Sequence, residues 1–94
     1  MAILADRGTR VVVQGITGRE ASMVVRHSVD YGTQVVAGVT PGKRGEFVYG
    51  VPVFDTVRQA VQETGANTAL VYVPPAAVYD AVLEDVDAGI GLVA

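Results

Sequence analysis

The sequence predicts an α/β domain in which a parallel sheet is covered by helices on both faces. Three observations carry that reading. Apolar runs at Arg10–Gln14, Gln34–Val39 and Thr68–Val73 are nearly continuous rather than alternating, as strands buried on both faces require. Stretches with apolar residues at helical spacing separate them, so strand and helix alternate along the chain. The run Val11-Val12-Val13-Gln14 passes directly into Gly15-Ile16-Thr17-Gly18 and a helix-compatible sequence, the way a parallel strand hands over to a helix across a phosphate-sized turn.

Taken in order, Arg10–Gln14 reads as a first buried strand. Gly18 to about Tyr31 reads as a helix with Ala21, Val24, Val25 and Ser28 on one face, stopped by Gly32. Gln34–Val39 is a second strand, and Thr40–Gly50 a glycine-rich loop. Val51–Phe54 is a short extended piece leading to a helix over about Thr56–Thr64, with Asp55 as its expected N-cap, Val57, Ala60 and Val61 inward, and Gly65 at its end. Thr68–Val73 is the third main strand. Pro74-Pro75 breaks the chain and sets the start of a last helix whose expected apolar stripe is Val78, Val82, Leu83 and Val86. Gly89 stops that helix, and Gly91–Ala94 begins a fourth strand. The whole is a Rossmann-like, doubly wound parallel sheet in a three-layer α/β/α arrangement. One domain spanning residues 1–94 is the natural division, and an ending inside a strand reads as a fragment of a longer protein or an isolated module.

Composition narrows the function classes. Half the residues are hydrophobic and 18% are charged, which argues against disorder. No apolar run reaches the roughly 20 residues of a membrane span, and the start lacks the basic and apolar regions of a secretory signal. The absence of cysteine removes disulfides and thiolate chemistry, and is compatible with a cytoplasmic protein. A net charge of −3 argues against nonspecific nucleic-acid binding, for which a basic face is the usual footprint. It leaves room for a single phosphate group, because local charge decides that.

Two loops carry the candidate chemistry. The turn Gly15-x-x-Gly18-x-x-Ala21 places glycines where a ligand approaches the main chain, ahead of a helix N-terminus with free N–H groups. Its spacing is not the Gly-x-Gly-x-x-Gly of dinucleotide-binding domains. The acid expected near the end of the second strand is also missing, since Gly38-Val39-Thr40-Pro41 stands there. Both departures weaken ordinary NAD binding. The second loop, Thr40-Pro41-Gly42-Lys43-Arg44-Gly45, follows a neighbouring strand and brings two cations beside the glycine turn. Tyr72-Val73-Pro74-Pro75 ends the third strand and is either a third wall of the same crevice or a plain strand-to-helix transition. His27, the single histidine, falls inside the first helix, and no metal set or nucleophile–base arrangement forms around it. Asp80, Glu84, Asp85 and Asp87 read as the solvated face of the last helix.

Several segments together resemble one family: Ile3-Leu4, Gln14-Gly15-Ile16-Thr17-Gly18, Tyr31-Gly32-Thr33, Gly38-Val39-Thr40-Pro41-Gly42-Lys43, Gly50-Val51-Pro52-Val53-Phe54 and Asp87-Ala88-Gly89-Ile90. They look like the amino-terminal CoA-binding domain of the succinate–CoA ligase (succinyl-CoA synthetase) α subunit, over essentially all 94 residues. The resemblance implies coenzyme A as ligand, with contacts from Thr17, Gly18, Arg19 and Glu20 in the glycine turn and from Lys43 in the second loop. It implies a parent reaction joining a carboxylic acid to CoA with ATP or GTP, through a phosphohistidine on a second domain and with a β subunit as partner. His27 does not match that histidine, so the chain alone is expected to be inactive. Glu20 and Ala21 depart from the family pattern, and Glu20 sets a carboxylate near the expected phosphate site. Two other classes compete: an NAD(P)-binding domain of an oxidoreductase, and a non-catalytic CoA- or nucleotide-sensing module.

Overall fold

A computed structural model describes residues 8–30 and 34–93. Among the described residues the sheet has six strands: β1 (Val11–Gln14), β2 (Val35–Val39), β3 (Phe47–Val48), β4 (Val51–Phe54), β5 (Thr68–Val71) and β6 (Leu92–Val93). They lie in the order β3-β4-β2-β1-β5-β6. All neighbouring pairs are parallel except β3 with β4. The helices are α1 (Arg19–Asp30), α2 (Val57–Thr64) and α3 (Val78–Asp87), the last preceded by a 3₁₀ turn at Pro75–Ala77.

β1 is the centre of the sheet, with β2 on one side and β5 on the other. From β1 the chain steps outward through β2 to β4, and α2 then carries it back across to β5. The winding direction therefore reverses beside β1. In sheets of this kind ligands lie outside the carboxyl ends of the strands at that reversal.

The period of two along β1 divides the core. Val11 and Val13 face one side with Ile16, Ala21, Val25 and Leu70. Val12 faces the other with Ala37, Val57, Ala60 and Ala69. All four β1 residues are buried, which accounts for the unbroken apolar run. Gly38 is required by this packing, because a Cβ there would lie 2.4 Å from Ile16 Cδ1.

Four expectations need correction. The N-cap of α2 is Thr56, not Asp55: its hydroxyl accepts from the Gln59 N–H at 3.2 Å. The stretch read as one loop, Thr40–Gly50, contains β3, and β3 turns into β4 at Tyr49-Gly50. Both turn residues have positive φ, 48° and 81°, as a type I′ hairpin demands. The last helix is rolled by one residue, about 100°. Ala81 and Asp85 face inward, whereas Val78, Leu83 and Val86 are exposed. The cause is polar anchoring: Gln14 Nε2 donates to the Ala81 carbonyl at 3.1 Å, and the Val57 N–H donates to Glu84 Oε2 at 2.8 Å. The acidic residues consequently do not form one solvated face. Asp85 is fully buried, Glu84 half-buried, and Asp87 pairs with Arg58 at 3.2 Å. Gly65 does end α2, in the left-handed conformation. Tyr31, Gly32 and Ala94 fall outside the described residues, as does the side chain of Ser28.

Candidate functional site

A cleft of about 470 Å³ opens at the carboxyl ends of β1, β2 and β5. Its floor is Gln14 and Gly15, and Thr17 and Gly18 of the turn into α1 line it. Val39, Thr40 and Pro41 form one side; Tyr72, Val73 and Pro74 form the other. Ala77, Asp80, Ala81 and Glu84 close it along α3.

The turn is built by short bonds. Gly15 N–H donates to the Val39 carbonyl at 2.7 Å, and Gly18 N–H donates to the Gly15 carbonyl at 3.0 Å. Gly15 has φ +79°, and a Cβ there would lie 2.2 Å from the Tyr72 carbonyl oxygen. Its glycine is thus demanded by the neighbouring strand end, in addition to any ligand. The first intrahelical bond of α1 runs from Ser22 N–H to the Gly18 carbonyl. The N–H groups of Arg19 and Glu20 precede it and have no partner within the helix.

The loop after β2 is fastened to this turn and to the start of α2. Thr17 and Thr40 hydroxyls hydrogen-bond at 3.2 Å. Asp55 Oδ1 accepts from the Gly42 N–H at 3.0 Å and the Arg44 N–H at 3.3 Å. The residue expected as a helix cap therefore shapes the cationic loop.

Of the residues expected at the site, Thr17 and Gly18 line the cleft. Arg19 and Glu20 follow on the exposed first turn of α1. Lys43 lies two residues beyond Pro41, exposed, with its ammonium 3.8 Å from Glu46 Oε2. His27 is exposed on α1. No group of three or more potential metal ligands occurs among the described residues. None of the described helices is long and apolar enough to cross a membrane.

Sequence reasoning missed Gln14, Asp80 and Glu84 as cleft residues. Gln14 was hidden in the first strand, and its period placed it on the α3 side only once the sheet order was known. The two acids became cleft residues through the roll of α3. Behind them lies Asp85, whose carboxylate oxygens are both buried without a hydrogen-bond partner. Burial, and next the negative charge of Glu84, push its pKa up to about 7.

This fold defines a Rossmann-like domain with a cleft at the sheet's switch point. The likeness extends to solved structures: a Rex-family repressor bound to NADH aligns with a TM-score of 0.75 and 15% identity, over 90% of this chain and 44% of that one. A dihydrodipicolinate reductase from Paenisporosarcina aligns at 0.68 and 17%, over 90% and 36%. At such identities the likeness concerns fold alone.

Sequence comparison is more specific. Residues 6–94 match the CoA binding domain family, and the chain belongs to it. It is 59% identical to the α subunit of the ADP-forming succinate–CoA ligase of Aquifex aeolicus, over 99% of this chain and 30% of that subunit. For an α subunit from Archaeoglobus fulgidus the figures are 54%, 99% and 32%, and for that of Staphylococcus epidermidis 50%, 99% and 31%. The chain thus spans about a third of the length of these curated relatives.

Proposed function

We propose that this chain binds coenzyme A as the CoA-binding part of a succinate–CoA ligase α subunit. The observation that carries the reading is the cleft at the switch point, where the Thr17–Gly18 turn meets a loop bearing Lys43 and Arg44. A helix N-terminus and adjacent cations suit the phosphates of the nucleotide end. The apolar sides from Val39, Pro41, Val73 and Pro74 suit the uncharged remainder.

Thr17 contributes a hydroxyl, Gly18 a close approach, and Arg19 and Glu20 their free main-chain N–H groups. Lys43 acts as a point charge, which its loose contact with Glu46 leaves available. In the longer protein the reaction is acid–thiol ligation driven by a nucleoside triphosphate, in the cytoplasm and with a β subunit. These 94 residues hold one substrate and do not complete the reaction.

Calorimetric titration with CoA, run beside NAD and a Lys43→Ala variant, tests the reading. CoA binding that weakens in the variant, with NAD silent, is expected. NAD binding tighter than CoA would overturn it in favour of an oxidoreductase domain.

A further inference from the structure

We infer that Asp55 positions Lys43: its carboxylate takes up the main-chain N–H groups on both sides of that lysine, so the loop after β2 meets its ligand through side chains rather than through its backbone. The inference rests on coenzyme A as the ligand and adds a residue that acts on it through Lys43.

The sheet register sets the arrangement. β2 and β4 run parallel, with Val39 opposite Phe54, so Thr40 and Asp55 leave the sheet side by side. The Thr40 N–H donates to the Phe54 carbonyl at 3.1 Å, which carries the pairing one residue past the strands. Asp55 therefore stands beside the loop from the loop's first residue.

Gly42 has φ +83°, and the N–H groups of alternate residues, Gly42 and Arg44, converge on Asp55 Oδ1 at 3.0 and 3.3 Å. Convergent main-chain N–H groups form a concavity that binds anions. Here a carboxylate of the chain itself fills it. The remaining N–H groups of the loop are also spent. Lys43 donates to the Thr40 carbonyl at 3.1 Å, Gly45 to the Val53 carbonyl at 3.2 Å and Glu46 to the Lys43 carbonyl at 3.1 Å, and Pro41 has no N–H. From Thr40 to Glu46 no main-chain donor is left for a phosphate. What the loop offers is the Lys43 ammonium and the Arg44 guanidinium.

Lys43 gains a fixed root from this. Its own N–H and carbonyl are bonded within the loop, and both neighbouring N–H groups that could let it swing are held by Asp55. A side chain whose main chain is already ordered loses less freedom when it meets a ligand. The charge of Asp55 works in the opposite sense, since a carboxylate near the site repels a phosphate. Lys43 and Arg44 are exposed, so solvent weakens that repulsion and the positioning effect prevails.

The test is a double-mutant cycle on the affinity of this chain for CoA, read by calorimetry. Asp55→Ala is expected to weaken CoA about 2- to 12-fold, the range of one net hydrogen bond. Asp55→Asn, whose amide oxygen accepts from the same pair, is expected to recover most of that loss. In a Lys43→Ala background Asp55→Ala is expected to add less than roughly twofold, because its effect passes through the lysine. A loss in that background as large as in the wild type would overturn the inference. So would unchanged or tighter CoA binding by Asp55→Ala alone. A second measurement needs no variant: the amide protons of Gly42 and Arg44 should shift together in nuclear magnetic resonance spectra when acid protonates Asp55. Amides that stay in place would overturn the inference even should Asp55→Ala fail to fold. A wild-type chain that does not bind CoA removes the functional reading and the inference together; one that binds CoA with independent losses removes only the inference.

Discussion

Thr17 and Thr40 hydrogen-bond through their hydroxyls at 3.2 Å, joining the turn after β1 to the loop after β2. Main-chain bonding alone already ties Gly15 to Val39, so the hydroxyl pair sets the finer spacing between the glycine turn and the cationic loop. Thr40→Val keeps the side-chain shape and removes the bond. Its expected effect is a loss of CoA affinity of about 2- to 12-fold, read by calorimetry, with little change in the unfolding midpoint. Unchanged affinity would mean that the two loops are positioned without it.

Asp55 and Thr56 are adjacent and do different work. Asp55→Ala releases the Gly42 and Arg44 N–H groups, and these two amides should then exchange hydrogen faster while CoA affinity falls. Thr56→Ala removes the α2 cap and should cost about 0.5–2 kcal/mol of stability with affinity preserved. The reverse pattern, found by urea unfolding and titration of both variants, would return the capping role to Asp55.

The contrast shows what a sequence can and cannot display. The strand runs were legible because β1 is buried throughout and β2 and β5 over most of their length, which leaves few polar residues, Gln14 and Thr68, in the three strands. The two loops of the site were legible because glycine and lysine mark special backbone and charge. The hairpin at Tyr49-Gly50 was not, since tyrosine gives no sign of the positive φ it adopts. Nor was the roll of α3: its apolar residues form a plausible stripe at helical spacing. Two long-range polar contacts, from Gln14 to Ala81 and from Val57 to Glu84, decide instead which face turns inward. Asp80 and Glu84 joined the cleft through that roll, and Gln14 through the sheet order that sets α3 against the end of β1, so no local pattern could have announced them.

Gly15→Ala combines two penalties. The left-handed backbone costs an L-residue about 1–2 kcal/mol, and the new Cβ would meet the Tyr72 carbonyl at 2.2 Å. The strand end must move for the variant to fold. A fall in the urea midpoint is expected together with loss of CoA binding, because Tyr72 and Gly15 line the same cleft. Wild-type stability in this variant would show that the turn has slack.

Val86 stands at 64% exposure on α3 despite belonging to the expected apolar stripe. Val86→Lys should therefore change stability by no more than about 0.5 kcal/mol. Val57→Ala, at a fully buried position, should cost about 2 kcal/mol or more from lost burial and the cavity left behind. Chemical denaturation of the two variants side by side distinguishes the observed helix orientation from the one its apolar spacing implies; a large loss in Val86→Lys would restore the latter.

Asp85 makes the chain's stability depend on pH in a predictable direction. Its carboxyl has a folded-state pKa of about 7 because burial, and then Glu84, disfavour the anion. The unfolded chain ionises near the ordinary value of about 3.9. Below that value both states hold the proton and the carboxyl contributes its full share of stability. Between there and about pH 7 the unfolded state loses its proton first, so stability falls by at most about 1.4 kcal/mol per pH unit from this group. Above pH 7 both states are ionised and the loss is complete. Asp85→Asn keeps the shape and does not titrate. The unfolding free energy of wild type minus that of the variant should therefore decline from pH 5 to pH 7 and level off by pH 8, while parallel curves would mean that Asp85 ionises normally in the folded chain.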